Sequence, residues 1–326
     1  MGGVNIWLDF LVASVVGLAL QPALIPWLRR RGVMDVPNER SSHATITPRG
    51  GGIAVLAATG AGLLVNHQGG GDALVAFVGA ITLGVAGLAD DFRGLSARFR
   101  LVVVILTGAV AGLLLTSPLP LALTVPALAV WVAVYVNAFN FMDGINGISG
   151  MTAIVAGVSY TLMGIEFGSD AAVLIGAALS GAALSFLPYN VPNAKVFLGD
   201  VGSYSLGFLI AALGWIVWAA DTPLSLAVAP TAVYLADTGS TLVLRYRRGA
   251  RLAEAHREHV YQRLVTGGRS HLSVALAIAG LQAAIVAVIW WGAAVDRAAV
   301  GVAVGLAILV AYVASPGLKR ASGVSP

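Results

Sequence analysis

Apolar residues run along this chain in long blocks, separated by short polar segments. A helix crossing roughly 30 Å of hydrocarbon at 1.5 Å per residue needs about 17–25 apolar residues. Blocks of that order occur at 5–28, 51–65, 73–89, 101–116, 121–136, 148–165, 171–187, 204–220, 224–244, 272–291 and 298–314. The pattern therefore predicts eleven transmembrane helices, or ten, since the second block is short and the fifth contains Pro126. The expected fold is all-α: a polytopic integral membrane protein in which residues 1–326 form a single transmembrane domain. Small residues such as Gly108 and Gly112 read as positions where helices approach closely in lipid.

Composition narrows the class. Of the 326 residues, 58% are hydrophobic and only 10% are charged, against about 45–50% and about 25% in soluble domains. A soluble enzyme, a disordered chain and a disulfide scaffold are all excluded. The absence of cysteine removes disulfides and thiolate metal sites. The net charge of +4 reads as cationic side chains held on the cytoplasmic side and not as a nucleic-acid surface, so no nucleic-acid partner is expected.

Sorting the polar segments alternately into two sets places every one of the 19 Lys and Arg residues except Arg297 in a single set. By the positive-inside rule that set is cytoplasmic, which puts the N-terminus outside and the C-terminus inside. The first apolar block is followed by its Arg cluster, so it reads as a retained helix and not as a signal peptide.

The inner segments 29–50, 90–100, 137–147, 188–203 and 245–270 carry the candidate chemistry. A carboxylate at the bilayer centre costs about 2.5–3.5 kcal/mol, so clustered acids at span ends call for an explanation. Asp90 and Asp91 close the third block; alone they could be a polar helix end paired to Arg93 and Arg98. The run from Asn137 through Asn140, Asp143 and Gly144 to Asn146 and Gly147 holds more polar groups than helix capping needs. Gly199, Asp200, Gly202 and Ser203 start the eighth block, either as an N-cap or as glycines open to an anion beside a hard-cation ligand. The first inner segment supplies Arg40, His43 and Arg49, then Gly50 to Gly52, which suit either a backbone folded round a ligand or a hinge. In the largest segment His256 and His259 are spaced to share a helix face beside Arg257 and Arg263. They lack a third zinc ligand but suit a phosphate; a plain basic surface loop is the alternative.

Taken in order, these motifs resemble the polyprenyl-phosphate N-acetylhexosamine-1-phosphate transferase family that includes WecA and MraY. An Asp-Asp pair is matched by Asp90 and Asp91, Asn-x-x-Asn-x-x-Asp-Gly by Asn137, Asn140, Asp143 and Gly144, and Gly-Asp-x-Gly-Ser by Gly199, Asp200, Gly202 and Ser203. The early Arg-Ser-Ser-His and Pro-Arg-Gly-Gly-Gly elements look like 40–43 and 48–52, and the His-Arg-Glu-His-x-Tyr-Gln string is most similar to the WbpL-like branch. Asn146 departs from the pattern, standing where many members carry a second Asp, and His256 with His259 replaces the consecutive histidines of peptidoglycan-type members.

The resemblance implies a UDP-N-acetylhexosamine donor, an undecaprenyl phosphate acceptor, UMP release and a lipid-linked sugar that initiates O-antigen or another surface polysaccharide. It implies Mg²⁺, with Mn²⁺ as the substitute, held by Asp200 and Asn140. It also implies phosphate neutralisation by His256, His259, Arg257 and Arg263, nucleotide seating by Asp143 and Asn146, and lipid-phosphate orientation or deprotonation by Asp90 and Asp91. The implied setting is the bacterial cytoplasmic membrane, with the site facing the cytoplasm and a homodimer as the assembly. An ion-coupled transporter is the rival from another class, although transporters place their polar groups nearer the midplane.

Overall fold

The computed structural model describes residues 5–37, 45–65, 70–250 and 257–321. Arg40, His43 and His256 lie outside the described residues. The long helices are α1 (Ile6–Arg30), α3 (Gly70–Arg93), α4 (Ala97–Leu114), α5 (Leu121–Met142), α6 (Ile148–Phe167), α7 (Asp170–Asn190), α8 (Gly199–Ala219), α12 (His271–Ala294) and α13 (Ala298–Ala321). Among the described residues these nine are long and apolar enough to cross a membrane. Several begin at a side chain that accepts an otherwise orphaned N–H: Asn5 from Leu8, Ser96 from Phe99, Ser169 from Ala172 and Ser270 from Ser273.

Each expected apolar block is helical, and two are not simple spans. The second forms α2 (Gly52–Val65), only 14 residues, or roughly 21 Å at 1.5 Å per residue. The ninth is broken into α9 (Leu224–Val228), a 3₁₀ turn over Ala229–Thr231 and α10 (Ala232–Arg247), because Pro230 has no N–H to continue an α-helical ladder. Pro126 sits in the first two turns of α5 without breaking it. A short helix, α11 (Val260–Thr266), lies in the largest polar segment. The first inner segment forms a two-stranded antiparallel pair, β1 (Met34–Asp35) with β2 (Thr47–Pro48).

Close packing follows the small residues. A Cβ on Gly108 or Gly112 would press on the α5 backbone at Ala129 or Val125, so α4 and α5 meet nearly backbone to backbone, as the sequence implies. The most enclosed helix is α8, with 94% of its apolar window buried. It packs on α2, α3, α5 and α6, so whatever its first turn carries is held by the whole bundle.

Candidate active site

The geometry centres on the start of α8. Gly199 has φ +75°, where side chains are strained, and a Cβ there would meet Gly50 N at 2.7 Å and Asp91 Oδ2 at 2.8 Å. The helix has no side-chain cap of its own, which corrects the N-cap reading of this motif. The cap comes from α3: Asp91 Oδ1 accepts the Asp200 N–H at 3.2 Å and Oδ2 accepts the Val201 N–H at 3.1 Å. Arg49 donates from Nη2 to the Asp91 carbonyl at 2.7 Å and places Nε 3.5 Å from Oδ1. Asp91 is thus a tertiary helix cap whose side chain is 1% exposed.

Gly50 to Gly52 also prove to be scaffolding. Their N–H groups are spent on the Phe197 and Leu198 carbonyls, at 3.2, 2.9 and 2.8 Å, and a Cβ on Gly52 would fall on the Gly202 backbone. The triple glycine binds the first inner segment to the Gly-Asp-x-Gly-Ser turn, so it neither wraps a ligand with its backbone nor acts as a loose hinge.

α5 runs one and a half turns past its expected end, making Asn137 and Asn140 helical and Asp143 the residue at the helix C-cap. Asn140 Nδ2 donates to Asp200 Oδ1 at 2.7 Å and to Ser203 Oγ at 2.8 Å. Asp90 accepts the Leu95 N–H at 2.6 Å and Arg100 Nη1 at 3.0 Å, and its carboxyl is also within hydrogen-bonding reach of the Asp200 carboxyl. Asp143 Oδ1 accepts the Ser149 hydroxyl at 2.6 Å. Burial raises the Asp143 pKa to about 6; the Ser149 hydrogen bond opposes this rise and the Asp91 charge adds to it.

One cavity of about 300 Å³ collects most of these groups. Its wall includes Asp35 and Arg49, Asp91, Asn140, Asp143 and Asn146, Asn190, Gly199 and Asp200, and Gln262. All five inner segments contribute to it. Asn137 turns back to its own helix, donating to the Ala133 carbonyl at 2.7 Å, and is not on the wall. Gly202 and Ser203 lie behind it, in packing and in the Asn140 bond. His259 is 2% exposed and also sits behind the wall, paired with Asp237 at 3.1 Å. Arg257 and Arg263 line a different cavity of about 270 Å³, with Thr241, Leu244, Arg248 and Glu258.

Several site residues escaped the motif reading. Asn190 accepts the Gly147 N–H at 2.5 Å and donates to the Val196 carbonyl at 3.0 Å, so it ties the Asn137–Gly147 run to the turn before α8. His271 accepts the Asn146 N–H at 3.3 Å, and Asn146 donates to the Pro192 carbonyl at 2.9 Å. Gln262 reaches the wall from α11, where it also bonds the His259 N–H at 3.2 Å. Asp237 alone carried a usable signal, as a carboxylate inside an apolar block.

Hard oxygen donors suit a small divalent cation. Asp200 and Asn140 are adjacent on the wall, and the Asp90 carboxyl beside Asp200 brings like charges together that a cation would neutralise. Among the described residues no group of three or more His, Cys, Asp or Glu could hold a metal. A divalent cation here would take one or two protein oxygens and complete its shell with other ligands.

The described residues thus form an apolar helical bundle with a polar cavity to which all five inner segments contribute. Residues 73–218 match Glycosyl transferase family 4. The chain is 31% identical over 299 residues to the decaprenyl-phosphate N-acetylglucosaminephosphotransferase of Mycobacterium tuberculosis, covering 76% of this chain and 73% of the relative. It is 26% identical over 291 residues to a probable undecaprenyl-phosphate N-acetylglucosaminyl 1-phosphate transferase of Bacillus subtilis, covering 84% and 81%. It is 32% identical over 237 residues to the phospho-N-acetylmuramoyl-pentapeptide-transferase of Symbiobacterium thermophilum, covering 62% and 71%. The chain belongs to the WecA/MraY family of membrane glycosyltransferases. These relatives lend no support to an ion-coupled transporter.

Proposed function

We propose that the protein transfers an N-acetylhexosamine-1-phosphate from a UDP-sugar to a polyprenyl phosphate, undecaprenyl phosphate in a bacterial cytoplasmic membrane. The reading is carried by one observation: all five polar segments converge on a single cavity walled by Asp200, Asn140, Asp143 and Arg49. An acceptor phosphate oxygen attacks the sugar-bearing phosphorus of the donor. The phosphoanhydride bond breaks, UMP leaves, and a lipid-linked pyrophosphoryl sugar forms, the start of an O-antigen or similar surface polymer.

Positioning and charge stabilisation do most of the work in phosphoryl transfer. Asp200 and Asn140 would hold Mg²⁺, or Mn²⁺ in its place; bound there, it supplies positive charge to the donor diphosphate. Arg49 adds a cationic edge to the same wall, and Asp143 with Asn146 seats the nucleotide. A phosphate monoester has a second pKa near 6 and is mostly dianionic at pH 7, so the attacking group needs no strong base. The contacts of Asp90 and Asp91 agree with this. Their oxygens are taken up by Leu95, Arg100 and the start of α8, so their part is to shape the site and its field. Arg257 and Arg263 stand in the neighbouring cavity and are left out of the reacting set.

The acceptor keeps its chain in lipid and its phosphate at headgroup level, which accounts for a polar site at one end of the helices. Excess Lys and Arg on the segments of that end supports a cytoplasmic site, where UDP-sugars are available. Purified protein incubated with UDP-N-acetylglucosamine, undecaprenyl phosphate and Mg²⁺ should release UMP. Failure across a panel of UDP-N-acetylhexosamines, with folded protein, would overturn the reading; the panel also identifies the sugar.

A further inference from the structure

Asp143 closes α5 and stands on the wall of the cavity. The turn it opens, 143–147, is held along its length by other elements. The Gly147 N–H goes to Asn190 Oδ1 at 2.5 Å, the Asn146 N–H to His271 Nδ1 at 3.3 Å, and the Asn146 side-chain amide to the Pro192 carbonyl at 2.9 Å. A Cβ on Gly144 would collide with the Tyr261 hydroxyl, which is itself fixed on the Phe141 carbonyl at 3.0 Å. The end of α7, the segment after it, α11 and the start of α12 therefore fix this backbone. The Asp143 carboxylate is held differently. Among the described residues, Ser149 is the only side chain that hydrogen-bonds it, with Oγ 2.6 Å from Oδ1. Ser149 is the second residue of α6 and is 2% exposed. Its hydroxyl has one proton to give, and the bond occupies Oδ1 while leaving Oδ2 for a ligand.

We propose that Ser149 is a positioning residue for donor binding: its hydroxyl holds the Asp143 carboxylate in the orientation that meets the nucleotide. The proposal deepens the functional reading above and rests on its assignment of Asp143 to the nucleotide. Because the backbone of the turn is held by other contacts, loss of the hydroxyl frees the carboxylate and leaves the turn in place. A serine needed only for folding would behave otherwise, lowering the active fraction and so kcat, with the donor KM untouched.

Kinetics and equilibrium dialysis with UMP, both on the full-length protein, test it. Ser149→Ala should raise the donor KM and weaken UMP binding, each roughly tenfold, the lower range for a hydrogen bond to a charged group. The kcat and the acceptor KM should stay as they are, since binding made equally in ground and transition states appears in KM alone. In an Asp143→Ala background the same change should cost nothing more. A donor KM and UMP affinity unaltered by Ser149→Ala, an equal loss in both backgrounds, or a loss confined to kcat overturns the proposal. Were the protein to bind UMP but turn over no UDP-sugar, the transfer reading would fail, and the UMP affinities would still decide the part of Ser149. No UMP binding by the parent protein would overturn both.

Discussion

Replacing Asp91 by Asn distinguishes a helix cap from a reacting carboxylate. Asp91 accepts two backbone N–H groups at the start of α8 and is almost completely enclosed. Asparagine keeps one acceptor oxygen and presents an amide donor to the other N–H. One buried N–H left unmet costs about 1–3 kcal/mol, and loss of the anion at the positive end of α8 adds about 0.3–1 kcal/mol. The pairing with Arg49, itself 37% exposed, adds little. Asp91→Asn should therefore destabilise the protein by about 1–4 kcal/mol. It should also reduce turnover in part, since the Asp200 N–H is one of the two donors and Asp200 moves with it. With no cysteine to label, unfolding is followed by the fluorescence of the 7 tryptophans, and turnover is measured on the same preparation. Acid–base catalysis contributes about 10²–10⁴-fold. A variant that kept wild-type stability and lost that much activity would make Asp91 a reacting group and refute the cap argument.

Asp143, with its pKa raised to about 6, should be protonated below that pH and ionised above it. If the ionised form seats the nucleotide, wild-type kcat/KM for the donor falls as pH drops through about 6. The ratio of wild type to Asp143→Asn, in which the acceptor's own ionisation cancels, should fall with it; a flat ratio rules the role out. The same shift works against the fold: ionisation is harder in the native state, so its cost is absent below the ordinary carboxylate range and complete above about 6. Asp143→Asn should accordingly gain thermal stability over wild type at pH 8 and not at pH 4. Chelation by EDTA should abolish UMP release, and Asn140→Ala should raise the Mg²⁺ concentration needed for half-maximal turnover; an unaltered requirement removes Asn140 from the metal set. Gly52→Ala drives a methyl group into the Gly202 backbone, so activity and yield should fall sharply, by the about 1–3 kcal/mol of overpacking or more; a neutral result would show that the two turns are not locked together.

What the sequence made legible was whatever a bilayer charges for. Apolar runs of span length identified the helices, because they follow from transfer energies that act on each segment independently. The break at Pro230 and the shortness of the 14-residue α2 follow from local chain geometry and were only half visible. The polar motifs were legible as a set, and all five segments do meet. Their division into chemistry and scaffolding was not, because it depends on which backbone lies opposite. Gly50 to Gly52 and Asp91 look like ligand-binding elements in one dimension, yet their hydrogen bonds go to the chain itself, at Phe197, Leu198, Asp200 and Val201. His259 depends on Asp237, 22 residues earlier, and on Tyr312, at the far end of the chain; neither partner belongs to a motif. Such support must be contributed by distant elements, since a short polar segment at a membrane surface has too few neighbours of its own to fix a side chain. Cost per residue therefore locates a membrane active site, while the rigidity that makes it work is written in residues that the cost argument mistakes for ordinary span.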